Sequence, residues 1–165
     1  MRVLRMRALN CRVVLRRTSL LVLAVACAAC SSEDPWKKGR PPVYPTSGTV
    51  MVDGRPMQGV TVMFQPVDEA GGKPGTAITD GDGAFSAQTF DPGDGLTAGK
   101  HRVALRKTVM LDKQGNEVAE IREPGDVKET HLIPKKYQEF KTSGIEVEIK
   151  AEGGNELKAF EVSGK

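Results

Sequence analysis

The chain has 165 residues, with 24 Lys and Arg against 21 Asp and Glu, a formal net charge of +3. That length leaves room for one domain and flanking segments. Six of the cations, Arg2, Arg5, Arg7, Arg12, Arg16 and Arg17, fall in the first 29 residues, which contain no acidic side chain; the remainder holds 18 basic against 21 acidic residues, a net charge of −3. A mildly acidic body gives no electrostatic basis for binding nucleic acid.

Cysteine placement restricts the chemistry further. Cys11, Cys27 and Cys30 all precede residue 31, and nothing downstream carries a thiol. A disulfide framework, a thiolate zinc site and a cysteine nucleophile are thereby excluded from the folded part. The arginine-rich start, the apolar run Leu20–Ala26 and the small residues after it form the pattern of an export signal over residues 1–29. The run is far below the roughly 20 residues that span a bilayer, so no permanent transmembrane helix is expected. A cysteine following small residues resembles the processing box of bacterial lipoproteins, in which that cysteine becomes the acylated N-terminus. Two registers compete. Ala24, three residues before Cys27, favours Leu23-Ala-Val-Ala-Cys27; polar Ser31-Ser32 favour Ala26-Cys-Ala-Ala-Cys30. An ordinary cleaved signal and a secreted product form the rival reading.

Residues 30–46 read as a linker. Pro35, Pro41, Pro42 and Pro45 keep it extended and deny it a helix, while Lys37, Lys38 and Arg40 keep it hydrated. These three cations are fewer than the usual polybasic patch that meets anionic headgroups, and a plain tether is the expectation.

From 47 to 163 the sequence is a series of short alternations bounded by turn residues. Val50 and Val52 precede Asp53-Gly54, a turn signal, and Pro56 belongs at the start of a strand because it cannot donate to a ladder. Val60, Val62 and Phe64 share one face of the next strand. Thr76 to Phe90, centred on Asp80-Gly-Asp-Gly83, reads as a tight β-hairpin with Phe85 and Ala87 inward. His101, Val103 and Leu105 alternate with Arg102, Ala104 and Arg106, and Ile145, Val147 and Ile149 with Glu146, Glu148 and Lys150. Phe160 and Val162 face inward on a last strand. Residues 108–131 look like a long, loop-like insertion, with Asp112–Asn116 as the tip of a hairpin extension. Seven strands with regular turn signals predict an all-β sandwich, antiparallel throughout.

Ser47–Phe64, Thr79–Phe85, Ala98–Leu105 and Ile133–Tyr137 through Thr142–Ile149 together resemble carboxypeptidase-regulatory-like domains of transthyretin-like topology, as carried by small bacterial lipoproteins. The resemblance implies a seven-stranded sandwich on a lipid anchor, usually without an assigned activity. The 108–131 insertion is where the chain departs most from that pattern.

Candidate chemistry is sparse. His101 and His131 lack the paired spacing of metal ligands and read as structural or surface residues. Related sandwiches that are iron dioxygenases use two tyrosines and two histidines; here the order of Tyr44, His101, His131 and Tyr137 does not follow that pattern. The C-terminal Tyr-Arg-Gly-Ser of sandwiches that hydrolyse purine-derived rings is replaced by Glu161-Val-Ser-Gly-Lys165. Asp80 and Asp82 resemble a fragment of a calcium loop, but further oxygen ligands do not follow, and turn chemistry accounts for both. Lys135-Lys136-Tyr137 next to Glu139 reads as a solvated turn. The expectation is a non-enzymatic extracytoplasmic module, without cofactor, held to the membrane through Cys27 or Cys30. It would bind an envelope protein or glycan at exposed strand edges or at the 108–131 loop. The alternative is a metal-dependent or hydrolytic enzyme on the same fold.

Overall fold

The computed structural model describes residues 35–68, 70–118 and 127–163. The leader, Cys27 and Cys30, and Glu120, Glu123 and Asp126 of the expected insertion lie outside the described residues. The chain divides into two units, Met1–Arg40 and Pro41–Lys165. Of the first, the description covers a short 3-10 turn, Pro35–Lys37, and the residues after it to Arg40. Proline opening that turn is compatible with its fixed φ and missing N–H, so Pro35 starts a turn here rather than preventing one.

The second unit is an all-β sandwich. Its strands are β1 (Val43–Tyr44), β2 (Thr46–Val52), β3 (Arg55–Pro56), β4 (Thr61–Pro66), β5 (Gly75–Ile78), β6 (Ala84–Ser86), β7 (Leu96–Thr97), β8 (Gly99–Arg106), β9 (Thr108–Leu111), β10 (Lys128–His131), β11 (Ile145–Ile149), β12 (Asn155–Glu156) and β13 (Phe160–Val162). The seven expected strands are present as β2, β4, β5, β6, β8, β11 and β13; the others are short additions or lie in the expected insertion. One sheet runs β11-β8-β4-β5, antiparallel at every step. The other is built on β2, which takes β6 and β3 antiparallel and β12 and β13 parallel. Antiparallel pairing throughout is therefore corrected: the last strand lies alongside the first in the same direction, Phe160 opposite Val50 and Val162 opposite Val52.

Alternation placed the core well. Val50, Val60, Val62, Phe64, Val103, Leu105, Phe85, Ala87, Phe160 and Val162 are all buried. The two sheets meet through three rings. Phe64 of β4 and Phe85 of β6 have centroids 6.1 Å apart, and Phe85 stacks on Phe160 of β13 at 5.8 Å. Phe85 is opposite Gly48 in the β2–β6 ladder, and a Cβ on Gly48 would come within 2.7 Å of the Phe85 ring. Glycine in mid-strand is thus explained by close approach of an aromatic ring.

Turn chemistry is equally local. Asp53 and Gly54 both have positive φ, +49° and +77°, as a two-residue hairpin between β2 and β3 requires. At the central turn, Asp80 N donates to the Ala84 carbonyl, and one Asp80 carboxylate oxygen accepts from the N–H groups of Asp82 and Ala84. The turn forms as expected, but its arms part: β5 joins β4 and β6 joins β2, with Thr76 and Gln88 bridging them. A strand pair that splits between sheets closes one corner of the sandwich.

Two boundaries also differ from the sequence reading. Val43 and Tyr44, assigned to the linker, pair with Thr97 and Leu96, so the folded unit begins at Pro41 rather than Ser47. Within 108–131 the expected hairpin turn at Asp112–Asn116 forms, with Val118 N donating to the Met110 carbonyl, and a strand pair that was not expected lies beside it. β9 and β10 form a four-residue antiparallel ladder from Thr108–His131 to Leu111–Lys128, and Leu111 and Glu117 bridge across the turn.

Because the Phe85 ring occupies the space over Gly48, Phe85→Ala should cost about 3–5 kcal/mol in urea unfolding, and Gly48→Ala about 1–3 kcal/mol through overpacking. In the Phe85→Ala background, Gly48→Ala should lose most of its cost; strict additivity of the two would show that the ring is not what excludes the side chain.

Candidate functional site

The residues singled out in the sequence are not gathered in one place. His101, on the inner face of β8, is fully buried. Its Nδ1 lies 3.2 Å from the Gly99 carbonyl and must donate to it, which leaves Nε2 to accept from the Thr97 hydroxyl at 3.4 Å. Thr97 Oγ1 in turn accepts from the Lys73 N–H at 3.2 Å. Both ring nitrogens are thus engaged by the protein itself. Burial holds the imidazole pKa below its usual value of 6.5, outweighing the opposing effect of the Gly99 carbonyl.

His131 lies on β10, in a different sheet, exposed, with Nδ1 3.0 Å from Thr108 Oγ1. Tyr44 sits on β1. Tyr137 closes a second 3-10 turn, Lys135–Tyr137, with Lys136 Nζ 4.6 Å from its ring centroid; both tyrosines pack partly against the core. Asp80 spends a carboxylate oxygen on its own turn. Asp94 and Asp112 do the same: Asp94 accepts from the N–H groups of Thr89, Phe90 and Asp91, and Asp112 from Gln114 and Asn116. Among the described residues, no three His, Cys, Asp or Glu side chains are grouped as metal ligands.

β11 lies at an edge of its sheet. Among the described strands β8 is the only partner of β11. Which backbone groups face outward follows from the ladder. Val67 N donates to the Lys100 carbonyl at 2.8 Å, so Lys100, Arg102 and Ala104 turn their N–H and C=O groups toward β4. By alternation His101 and Val103 turn theirs toward β11, where they meet Val147 and Ile145. Glu146 and Glu148 therefore direct their N–H and C=O groups away from β8, into the open. Pro66, opposite His101, costs the sheet no bond to β8, because this position of the β4–β8 ladder is a non-bonded pair.

A shallow groove of about 490 Å³ adjoins the start of this edge, lined by Arg102, Phe140, Lys141, Gly144, Ile145 and Glu146. Arg102 Nε and Glu146 Oε1 are 3.6 Å apart across it, both largely exposed, so the pair contributes little to stability. Ser143 is buried and its hydroxyl accepts from the Ile145 N–H at 3.3 Å, fixing where β11 begins. The sequence signalled the strand through Glu146 and Glu148, but Phe140 and Lys141 went unnoticed, since they lie in a turn without periodicity. Chemically, an open ladder beside a half-apolar groove offers backbone hydrogen bonds and one side-chain pocket.

No protein-family profile matches the chain. No curated protein matches it either. Two solved structures do: a DUF3823 family protein from Parabacteroides merdae, at 15% identity and a TM-score of 0.36, covering 74% of this chain and 47% of that one, and a 9R-lipoxygenase from Cyanothece, at 12% identity and 0.35, covering 87% of this chain and 20% of that one. The chain spans about half the length of the first and a fifth of the second. Likeness at this level carries no functional argument.

The neutral, buried His101 makes stability depend on pH in one direction. Unfolded imidazole binds a proton near pH 6.5 and the folded one only at lower pH, so protonation favours the unfolded chain. The contribution should be fully present above about pH 6.5, fall as the pH drops below it, and level off under the folded-state pKa. Urea unfolding from pH 8 to 5 should show this slope, and His101→Gln should flatten it; an unchanged slope would assign it to other groups.

Proposed function

We propose that the protein is a non-enzymatic binding module of the cell envelope. It is a sandwich of transthyretin-like topology, tethered outside the cytoplasm by a lipid on Cys27 or Cys30. The observation that carries the binding reading is the open edge of β11, with Glu146 and Glu148 presenting backbone donors and acceptors beside the groove at Phe140. An extended segment of an envelope protein can extend the sheet there, its backbone giving affinity and a side chain in the groove giving selectivity. The double engagement of His101 supports a structural rather than a catalytic role for that residue. The order of basic segment, apolar run and cysteine supports the tether. Among the described residues, no helix is long and apolar enough to cross a membrane.

Two measurements test this. Labelled fatty acid should be incorporated into the wild-type protein and lost in either Cys27→Ala or Cys30→Ala; unlabelled protein released to the medium would remove the tether. Glu148→Pro deletes one outward N–H and leaves the β11–β8 ladder whole, because that N–H does not face β8. Capture of an envelope partner should fall about tenfold or more with thermal stability nearly unchanged. Undiminished capture would move the binding surface away from this edge.

A further inference from the structure

We propose that Trp36 and the lysines after it form a foot that seats on the surface of an anionic lipid bilayer. The turn Pro35–Lys37 is closed from within: Arg40 N donates to the Lys37 carbonyl at 3.3 Å and Arg40 Nε to the Trp36 carbonyl at 2.9 Å. Two backbone carbonyls of the turn are thereby satisfied by Arg40. Trp36 is 82% exposed, the most exposed of the large hydrophobic residues described, and Lys37 and Lys38 beside it are exposed as well. An indole held in water forgoes the burial that usually stabilises it. Its amphipathic ring is instead suited to the headgroup level of a membrane, apolar body inward and N–H outward.

The charge beside the ring selects the lipid. Lys37 and Lys38 attract anionic headgroups, each by roughly fivefold in affinity near a charged surface. Glu33 and Asp34 precede the turn and offset part of this charge. The salt-dependent component is accordingly modest, and the ring carries more of the binding.

Position completes the case, and this step rests on the lipid tether proposed above. Trp36 is six residues after Cys30 and nine after Cys27. A chain extended at no more than about 3.6 Å per residue keeps the ring within roughly 20–35 Å of an acylated cysteine. Confined so closely, even a weak intrinsic affinity is enough to keep the ring seated. The segment after the cysteines then does more than act as a spacer: it makes a second contact with the membrane at Trp36.

Trp36 is the only tryptophan in the chain, so it reports on itself. Full-length protein is mixed with vesicles of phosphatidylcholine alone or with phosphatidylglycerol added; flotation reads attachment, and Trp36 emission and acrylamide quenching read ring position. With phosphatidylglycerol the emission should shift to the blue, acrylamide quenching should fall, and brominated lipid should quench. Lys37→Gln together with Lys38→Gln should weaken binding roughly tenfold, and Trp36→Ala, followed by flotation, should weaken it in a background with Cys27→Ala and Cys30→Ala. Acylated protein that floats with its Trp36 unshifted and fully quenched by acrylamide would overturn the foot and leave the tether standing. A shift retained in the cysteine variants, with no fatty acid on the wild type, would leave the foot standing and remove the tether. An equal shift on phosphatidylcholine alone, or one produced by envelope proteins and not by lipid, would overturn the anionic-bilayer assignment.

Discussion

The ring of Phe85 fills the space that a side chain at Gly48 would take, and most of the sandwich is arranged around that substitution of ring for side chain. Phe85 reaches Phe64 on the opposite sheet and Phe160 on the last strand. Three segments far apart in sequence are thereby fixed to one point. A domain with few aromatic residues has little redundancy here: aromatic side chains make up 5% of the chain, and three of them are spent in this contact. The dependence runs in both directions, since a larger residue at Gly48 displaces the ring and loss of the ring leaves a cavity between the sheets.

Polar groups inside the sandwich follow a related rule. His101 is fully buried, and that burial favours its neutral form, while its two ring nitrogens are engaged by one carbonyl and one hydroxyl. Thr79 is buried as well, and its hydroxyl donates to the Met57 carbonyl while accepting from the Val60 N–H. Each such group closes a local loop rather than reaching into a cleft. Among the described residues, no buried side-chain nitrogen or oxygen lacks a hydrogen-bond partner. Backbone groups without a partner strand lie instead at the sheet edges, as along β11 beside the groove at Phe140.

How far the sequence could be read depended on which physical signal was involved. Period-two burial is strong in Val60–Phe64 and Ile145–Ile149, so inward and outward faces could be assigned directly. Asp53-Gly54 identified its turn because both residues tolerate positive φ. Alternation says nothing about neighbours, however, so the parallel β2–β13 pairing and the parting of β5 from β6 were not visible. β10 reads Lys-Glu-Thr-His, without alternation, and its pairing with β9 was missed for that reason. In the candidate site, the acidic face of β11 was legible, whereas Phe140 and Lys141 depend on how a turn folds back. Trp36 was overlooked because four prolines nearby suggested only a tether.

The parallel alignment of β13 with β2 has a mechanical consequence. The chain enters β2 at Thr46 and leaves β13 at Val162, which lies beside Val52 at the far end of the same strand, some 20 Å away at about 3.3 Å per residue. A pull between these two points would drag β13 along β2, so that the rungs between them are loaded in shear, all at once, instead of being unzipped one by one.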